Sequence, residues 1–157
     1  MTIETIILTL AGAFLGTLGL SFLINTPRQI VMMSSATGMI GYLFYKYLET
    51  AGHGPLFCYF VSALVIALAC EAEARIIKRP VTIFLLTALV PLVPGYSLYW
   101  SMLEMVRNET IHAAEDGVNA ILAIAAIAIG AAVASILAKM VTTIRKRRRQ
   151  LTPPGME

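Results

Sequence analysis

Five apolar runs, each long enough to cross a bilayer as a helix, follow one another along the chain with only short polar connections. They cover residues 3–24, 30–48, 55–77, 81–106 and 118–142. A hydrocarbon core of about 30 Å is crossed by about 20 helical residues, so each run has the length of a span. The 157 residues are 58% hydrophobic and only 13% charged, which is more apolar matter than a small soluble domain can bury. We therefore predict an all-α integral membrane protein with about five transmembrane helices, made of one polytopic domain over residues 1–143 and a basic cytoplasmic tail over 144–157.

The distribution of basic residues predicts the orientation of these spans. Ten of the twelve Lys and Arg residues lie on one side of the predicted spans, and only Lys46 and Arg107 lie on the other. We expect the protein to lie in the cell membrane, that is, the inner or plasma membrane. Because Lys and Arg accumulate in cytoplasmic connections, the C-terminus is expected in the cytoplasm and the N-terminus on the outer side. The first run has Glu4 and no basic residue before its apolar core, so we expect it to remain as a helix rather than to be cleaved as a signal peptide.

That orientation predicts on which side of the membrane two charged segments lie. The acidic connection that holds Glu104, Glu109, Glu115 and Asp116 is predicted to be an external loop. The basic run 145–149 comes directly after the last span, where it is typical of an anchor on anionic lipid rather than of nucleic-acid binding.

The fourth run is interrupted at its centre by two prolines and a glycine. Pro91 lies roughly 16 Å of helical rise beyond Pro80, which is about half of the hydrocarbon thickness. Proline removes a backbone donor and glycine admits unusual backbone angles, so we predict a helix broken near the midplane. Unpaired backbone groups at that depth are tolerated where protein or a water-filled cavity satisfies them, and such breaks form substrate sites in transporters; a kink that only shapes helix packing is the alternative. The residues of the break assigned to a substrate path are Pro91, Pro94, Gly95, Tyr96, Ser97 and Tyr99.

Polar residues on the second run extend this hypothesis. Ser34 and Thr37 share a helical face with Gly38 and Gly41, which fits either hydrogen bonding to a polar solute or close helix packing. We assign Ser34 and Thr37 to the substrate path. Tyr42, Tyr45 and Tyr47 are interpreted as an outer aromatic belt, with Lys46 extending to the interface beside them.

The end of the third run holds charged residues within the predicted membrane. Glu71 and Arg75 have the i, i+4 spacing of a helical ion pair, with the acid at the favourable N-terminal position. Glu71 is therefore either a static partner of Arg75 or a proton-binding carboxylate that couples transport. Glu73 is expected to point elsewhere and to lie nearer the interface.

Small residues predict two close helix contacts. Gly12, Gly16 and Gly19 recur at helical spacing in the first run, and Ala126, Gly130 and Ala134 recur at four-residue spacing in the fifth. At the first connection, Asn25 or Thr26 is expected to cap the second helix, with Pro27 in its first turn.

Catalytic and metal-binding patterns are missing from the sequence. No nucleophile, base and orienting group recur together, so an enzyme is not expected, and no cofactor is assigned. Cys58 and Cys70 lie twelve residues apart on one predicted helix, too far along its axis to form a disulfide. His53 and His112 are isolated in predicted external loops, so no metal site is assigned.

Several of these motifs together resemble a known family. They are Pro27-Arg28, Gly38-x-x-Gly-Tyr42, Glu71-x-x-Ala-Arg75 with Lys78 and Pro80 beyond it, Pro91-Leu-Val-Pro-Gly95, and Tyr99. This combination resembles the small-subunit half of the threonine/serine exporter family. The resemblance implies export of threonine, serine or small carboxylates such as succinate, together with a larger membrane subunit. Self-association of the chain is also expected. A structural subunit that assembles a larger membrane partner without touching solute is the alternative.

Overall fold

The computed structural model describes residues 3–151, and this part of the chain is helical almost throughout. It contains α1 (Ile3–Leu23), α2 (Arg28–Thr50), α3 (Pro55–Ile77), α4 (Val81–Ala88), a 3-10 turn (Val90–Leu92), α5 (Gly95–Val106) and α6 (Thr110–Leu151). No strand occurs within the described range, so the all-α prediction is confirmed. Residues 1–2 and 152–157 lie outside the described residues, and so do the predicted position of the N-terminus and the last part of the basic tail.

Length and hydropathy identify the helices suited to a bilayer. Helix α3 and the part of α6 from Thr110 to Ile144 are long and apolar enough to cross a membrane, and α4 with α5 makes a third span if the bent pair counts as one. The apolar part of α1, Ile7–Leu23, is shorter, and α2 is as long as α3 but less apolar on average. This architecture is that of a multi-pass membrane protein.

The first connection differs from its prediction. Asn25 ends α1 in the left-handed conformation (φ 57°), and the amide of Thr26 donates to the carbonyl of Ser21 at 3.0 Å. Asn is one of the few non-glycine residues that adopt this conformation readily. Pro27 is the N-cap of α2 and no side chain caps that helix, so the predicted capping by Asn25 or Thr26 is wrong.

The predicted external acidic loop is also shorter than expected. Helix α6 begins at Thr110, so that His112, Glu115 and Asp116 lie in its first two turns rather than in a loop. No proline interrupts this stretch, and Gly117 lies inside the helix without ending it. The chain therefore reverses over three residues, with Asn108 in the left-handed conformation.

The predicted small-residue contact on α6 is confirmed. A Cβ atom on Gly130 would lie 2.5 Å from the carbonyl oxygen of Phe60 and 3.2 Å from the Cβ atom of Ala63. Ala134, one turn further along, is fully buried. Glycine at this position lets the backbones of α3 and α6 approach closely, as small residues do at helix contacts in membranes.

The predicted glycine contact on α1 does not form within the described chain. Gly12, Gly16 and Gly19 are exposed or nearly so, and nothing lies within 4 Å of a Cβ placed on any of them. Helix α1 packs instead through Thr17 and Ser21, which are fully buried and whose hydroxyls donate to backbone carbonyls at 2.8 and 2.7 Å. These side chains satisfy their own polar groups within the helix, so they can face α2 in place of the glycines.

The orientation of the helices is open to a direct test. A reporter fused after Arg149 is expected to behave as cytoplasmic, and one inserted at Asn108, in the turn between α5 and α6, is expected to behave as external. Phosphatase and fluorescent-protein fusions at these two positions measure the sides. Opposite labelling would invert the predicted orientation.

Candidate functional site

The broken helix forms as the prolines require. Helix α4 ends at Ala88, α5 begins at Gly95, and the two axes are bent by 60°. Pro91 lies in the 3-10 turn and Pro94 is the N-cap of α5. Neither proline has an amide hydrogen. The turn is held by hydrogen bonds between residues three apart, from the amide of Leu92 to the carbonyl of Leu89 at 3.0 Å and from the amide of Val93 to the carbonyl of Val90 at 3.1 Å.

The first turn of α5 leaves two backbone donors free. The amide of Gly95 donates to Val93 at 2.7 Å, and the amide of Leu98 donates to Pro94 at 3.1 Å. Between them, the amides of Tyr96 and Ser97 make no hydrogen bond with the part of the chain that the structure describes. They lie at the positive end of the helix dipole, where unpaired amides attract anionic groups.

A cleft of about 900 Å³ opens beside the break. One wall is the break itself, residues 91–97, so Pro91, Pro94, Gly95, Tyr96 and Ser97 all line the cleft. The other walls come from the end of α2, the start of α3 and one side of α6. The residues of these walls are Tyr42, Tyr45, Lys46, Glu49, Pro55, Leu56, Tyr59, Asn119, Leu122 and Ala123.

The wall formed by α2 and α3 carries rings and charges, several of which were predicted to lie at the membrane boundary. The ring of Tyr45 lies 4.7 Å from that of Tyr59 and 5.9 Å from that of Tyr42. Lys46 Nζ lies 2.7 Å from Glu49 Oε2, one helical turn away. The regular spacing from Tyr42 through Tyr45 to Glu49 was the available signal that these residues share one face.

Three predicted path residues lie away from the cleft. Tyr99 is 61% exposed and packs edge-to-face with Trp100, their ring centres being 6.0 Å apart. Ser34 and Thr37 are buried in α2 rather than lining the cleft.

The buried face of α2 nevertheless contacts the break from behind. A Cβ on Gly38 would lie 2.9 Å from the carbonyl oxygen of Ala88 and 3.4 Å from Cγ of Pro91. Only glycine permits this approach of α2 to the break. Thr37 is therefore one residue away from the contact that supports the broken helix.

The predicted ion pair of α3 is present. Arg75 Nη2 lies 3.6 Å from Glu71 Oε2, and the same nitrogen donates to the backbone carbonyl of Ala138 in α6 at 2.7 Å. Arg75 therefore connects α3 to α6 as well as pairing with Glu71.

Glu73 points in a different direction from Glu71, as expected. It faces α2, and its Oε1 accepts a hydrogen bond from Thr37 Oγ1. Successive residues on a helix point about 100° apart, so Glu71 and Glu73 face different neighbours, and the packing of α2 against α3 decides which acid is enclosed. Among the described residues no group of His, Cys, Asp and Glu could hold a metal ion, and Cys58 and Cys70 are buried free thiols.

A multi-pass helical protein with a broken helix, in which the residues that carry the free amides line a cleft, has the architecture of a membrane transporter. The family model described as "Threonine/Serine exporter, ThrE" matches residues 9–137, and the chain belongs to that family. No curated protein and no solved structure matches the chain. Membership of this family means an exporter-type function in membrane transport, and members of the family are transporters rather than enzymes.

Proposed function

We propose that the protein is a membrane subunit that exports threonine, serine or small carboxylates such as succinate, and that the cleft beside the break is part of the solute path. The observation that carries the proposal is the pair of unbonded amides, those of Tyr96 and Ser97, at the edge of this cleft. All the candidate solutes carry a carboxylate, which is the group that such amides bind.

The opposite wall supports an amino-acid solute. Lys46 and Glu49 place both signs of charge in the cleft, where Glu49 offers an acceptor to an ammonium group. A volume of about 900 Å³ is within the range of small-molecule sites. Pro91, Pro94 and Gly95 hold the two half-helices apart, and Tyr96 and Ser97 present the donors. Tyr99, Ser34 and Thr37 lie beside the solute path rather than in the wall of the cleft. The Glu71–Arg75 pair holds α3 against α6.

Association with a larger membrane subunit, and self-association, complete the proposal. The exposed glycines of α1 support it, because a face of Gly12, Gly16 and Gly19 allows another helix to approach closely and the described chain leaves that face uncovered. The proposal puts this assembly in the cell's inner or plasma membrane with the N-terminus outside, and the excess of basic residues on one side of the spans supports that orientation.

Efflux measurements test the function directly. Cells loaded with labelled serine, threonine or succinate are expected to export at least one of them when the chain is expressed with the membrane protein that co-purifies with it. Efflux is normalised to the amount of complex inserted in the membrane. An assembled complex that exports none of the three would contradict the proposal and favour a scaffold subunit.

A further inference from the structure

The carboxyl group of Glu73 is enclosed at the contact between α2 and α3. It lies one turn before α3 ends at Ile77, and one of its oxygens accepts a hydrogen bond from Thr37 of α2. The other oxygen, Oε2, is shielded from solvent and has no hydrogen-bond partner among the described residues. The residue as a whole is only half-buried, so water at the end of α3 remains close to it.

A second unpartnered polar group lies on the same face of α2. Ser34 is fully buried, and its hydroxyl has no hydrogen-bond partner within the described part of the chain. It precedes Thr37 by one helical turn, and residues at this spacing are neighbours on a helix surface. The face that meets Glu73 thus carries one hydroxyl already engaged and one that is free.

The charged side chains around Glu73 do not neutralise it. On α3 itself, Glu71 and Arg75 pair with each other, and Arg75 is also bound to the carbonyl of Ala138. Lys78 and Arg79, just beyond the end of α3, are exposed and form no ion pair with Glu73, and Cys70 is a buried thiol one turn before it. Neither of the two ion pairs found among the described side chains includes Glu73.

The helices packed against α3 supply no counter-charge either. Helix α2 carries charged residues only near its ends, Arg28 at the start and Lys46 and Glu49 near its other end. Helix α4 has no charged residue. The nearest described cation of α6, Lys139, is exposed.

An ionised carboxylate with one shielded oxygen and no counter-charge is costly inside a membrane protein. A proton from bulk water removes the charge, and the resulting carboxylic acid still accepts the hydrogen bond from Thr37 while offering its own O–H to an acceptor. We propose that Glu73, held by Thr37, is a proton-binding site of the membrane domain. This differs from a role for Glu71, whose charge is balanced by Arg75.

The position of the site connects it to the broken helix. Gly38, the residue after Thr37, contacts Ala88 and Pro91, so a movement of the break changes the position of Thr37 relative to Glu73. Gain and loss of the proton would then accompany solute passage. This coupling rests on the proposed exporter function, whereas proton binding itself does not.

Infrared difference spectroscopy on the purified full chain in lipid vesicles measures the proton directly. A change of pH is expected to produce, besides the bands of the other carboxyl groups, a protonated-carboxyl C=O band that Glu73→Gln abolishes and that the matched control Glu71→Gln retains. Glutamine preserves the size of the side chain and an acceptor for Thr37, so Glu73→Gln is expected to insert and fold as wild type does, as circular dichroism will verify. Thr37→Val is expected to shift the pH midpoint of the band, and Thr37→Ser, which keeps the hydroxyl, is expected to restore it.

Three results would contradict the assignment of Glu73 as a proton-binding site. The assigned band could persist in Glu73→Gln, it could be lost in Glu71→Gln instead, or it could be missing from the wild type. These readouts need no solute, so they stand even if the protein exports nothing. In the efflux assay, Glu73→Gln is expected to lose the response to an imposed proton gradient while Glu71→Gln keeps it. Wild type that binds the proton without exporting solute would contradict the exporter function alone, and an unchanged gradient response in Glu73→Gln would contradict the coupling.

Discussion

Replacing Gly95 by leucine is expected to abolish solute efflux while the protein still inserts and assembles. Gly95 lines the cleft, and nothing lies within 4 Å of a Cβ placed on it, so a leucine side chain would extend into open space beside the free amides of Tyr96 and Ser97. It would cover the donors without disturbing a packed contact. The measurement is efflux of labelled serine, threonine and succinate per inserted complex.

Gly54→Leu is the matched control for this change. A Cβ on Gly54 also meets nothing within 4 Å, but Gly54 is the exposed N-cap of α3 and does not line the cleft. The chain expressed alone should therefore insert equally well with leucine at either position. Normal efflux from a fully assembled Gly95→Leu complex would remove the break from the solute path.

The double change Pro91→Ala and Pro94→Ala is expected to reduce efflux by about a hundredfold or more. Alanine at both positions restores two backbone donors and removes two rings that oppose a continuous helix, each proline costing about 3 kcal/mol in a helix interior. Even about 3 kcal/mol in favour of the straightened helix changes the ratio of bent to straight forms by about a hundredfold. The free amides of α5 would then find acceptors within the helix.

Pro80→Ala tests whether proline loss in general is harmful. Pro80 is the N-cap of α4, where no helical bond is interrupted, so its replacement is expected to leave efflux close to wild type. Site-directed spin-label distances across the break, from α4 to α5, report whether the 60° bend is lost in the double variant. A straightened helix with normal efflux would show that the bend itself is dispensable.

The sequence was sufficient to predict the helices because spanning length and proline chemistry are local properties. The third run was predicted over residues 55–77 and the structure has Pro55–Ile77, since proline begins this helix and the chain leaves it at Lys78 in the left-handed conformation. The break at Pro91 and Pro94 followed from missing amide hydrogens alone. The start of α6 was misplaced because hydropathy marks the membrane boundary, whereas the helix continues through polar residues to Thr110.

The cleft could be predicted only in part, because its second wall depends on how each helix is rotated about its axis. The spacing of Tyr45 and Lys46 is compatible both with a belt at the membrane interface and with a wall of the cleft. Only the packing of α2 against α3 places the Tyr45 ring beside that of Tyr59. The same rotation brings Glu73 rather than Glu71 against Thr37. The glycines of α1 show the reverse case, since their spacing predicted a helix contact that the described chain does not make.

The burial of both native cysteines has a practical consequence for chemical labelling. Cys58 and Cys70 are the only thiols in the chain and are 1% and 0% exposed, so membrane-impermeant maleimides should leave the folded wild type unmodified. Single cysteines introduced along the cleft can then be read against an unaltered background, without first removing native residues from the α3 packing. Protection of such a cysteine by added serine or succinate would map, residue by residue, how far each solute enters.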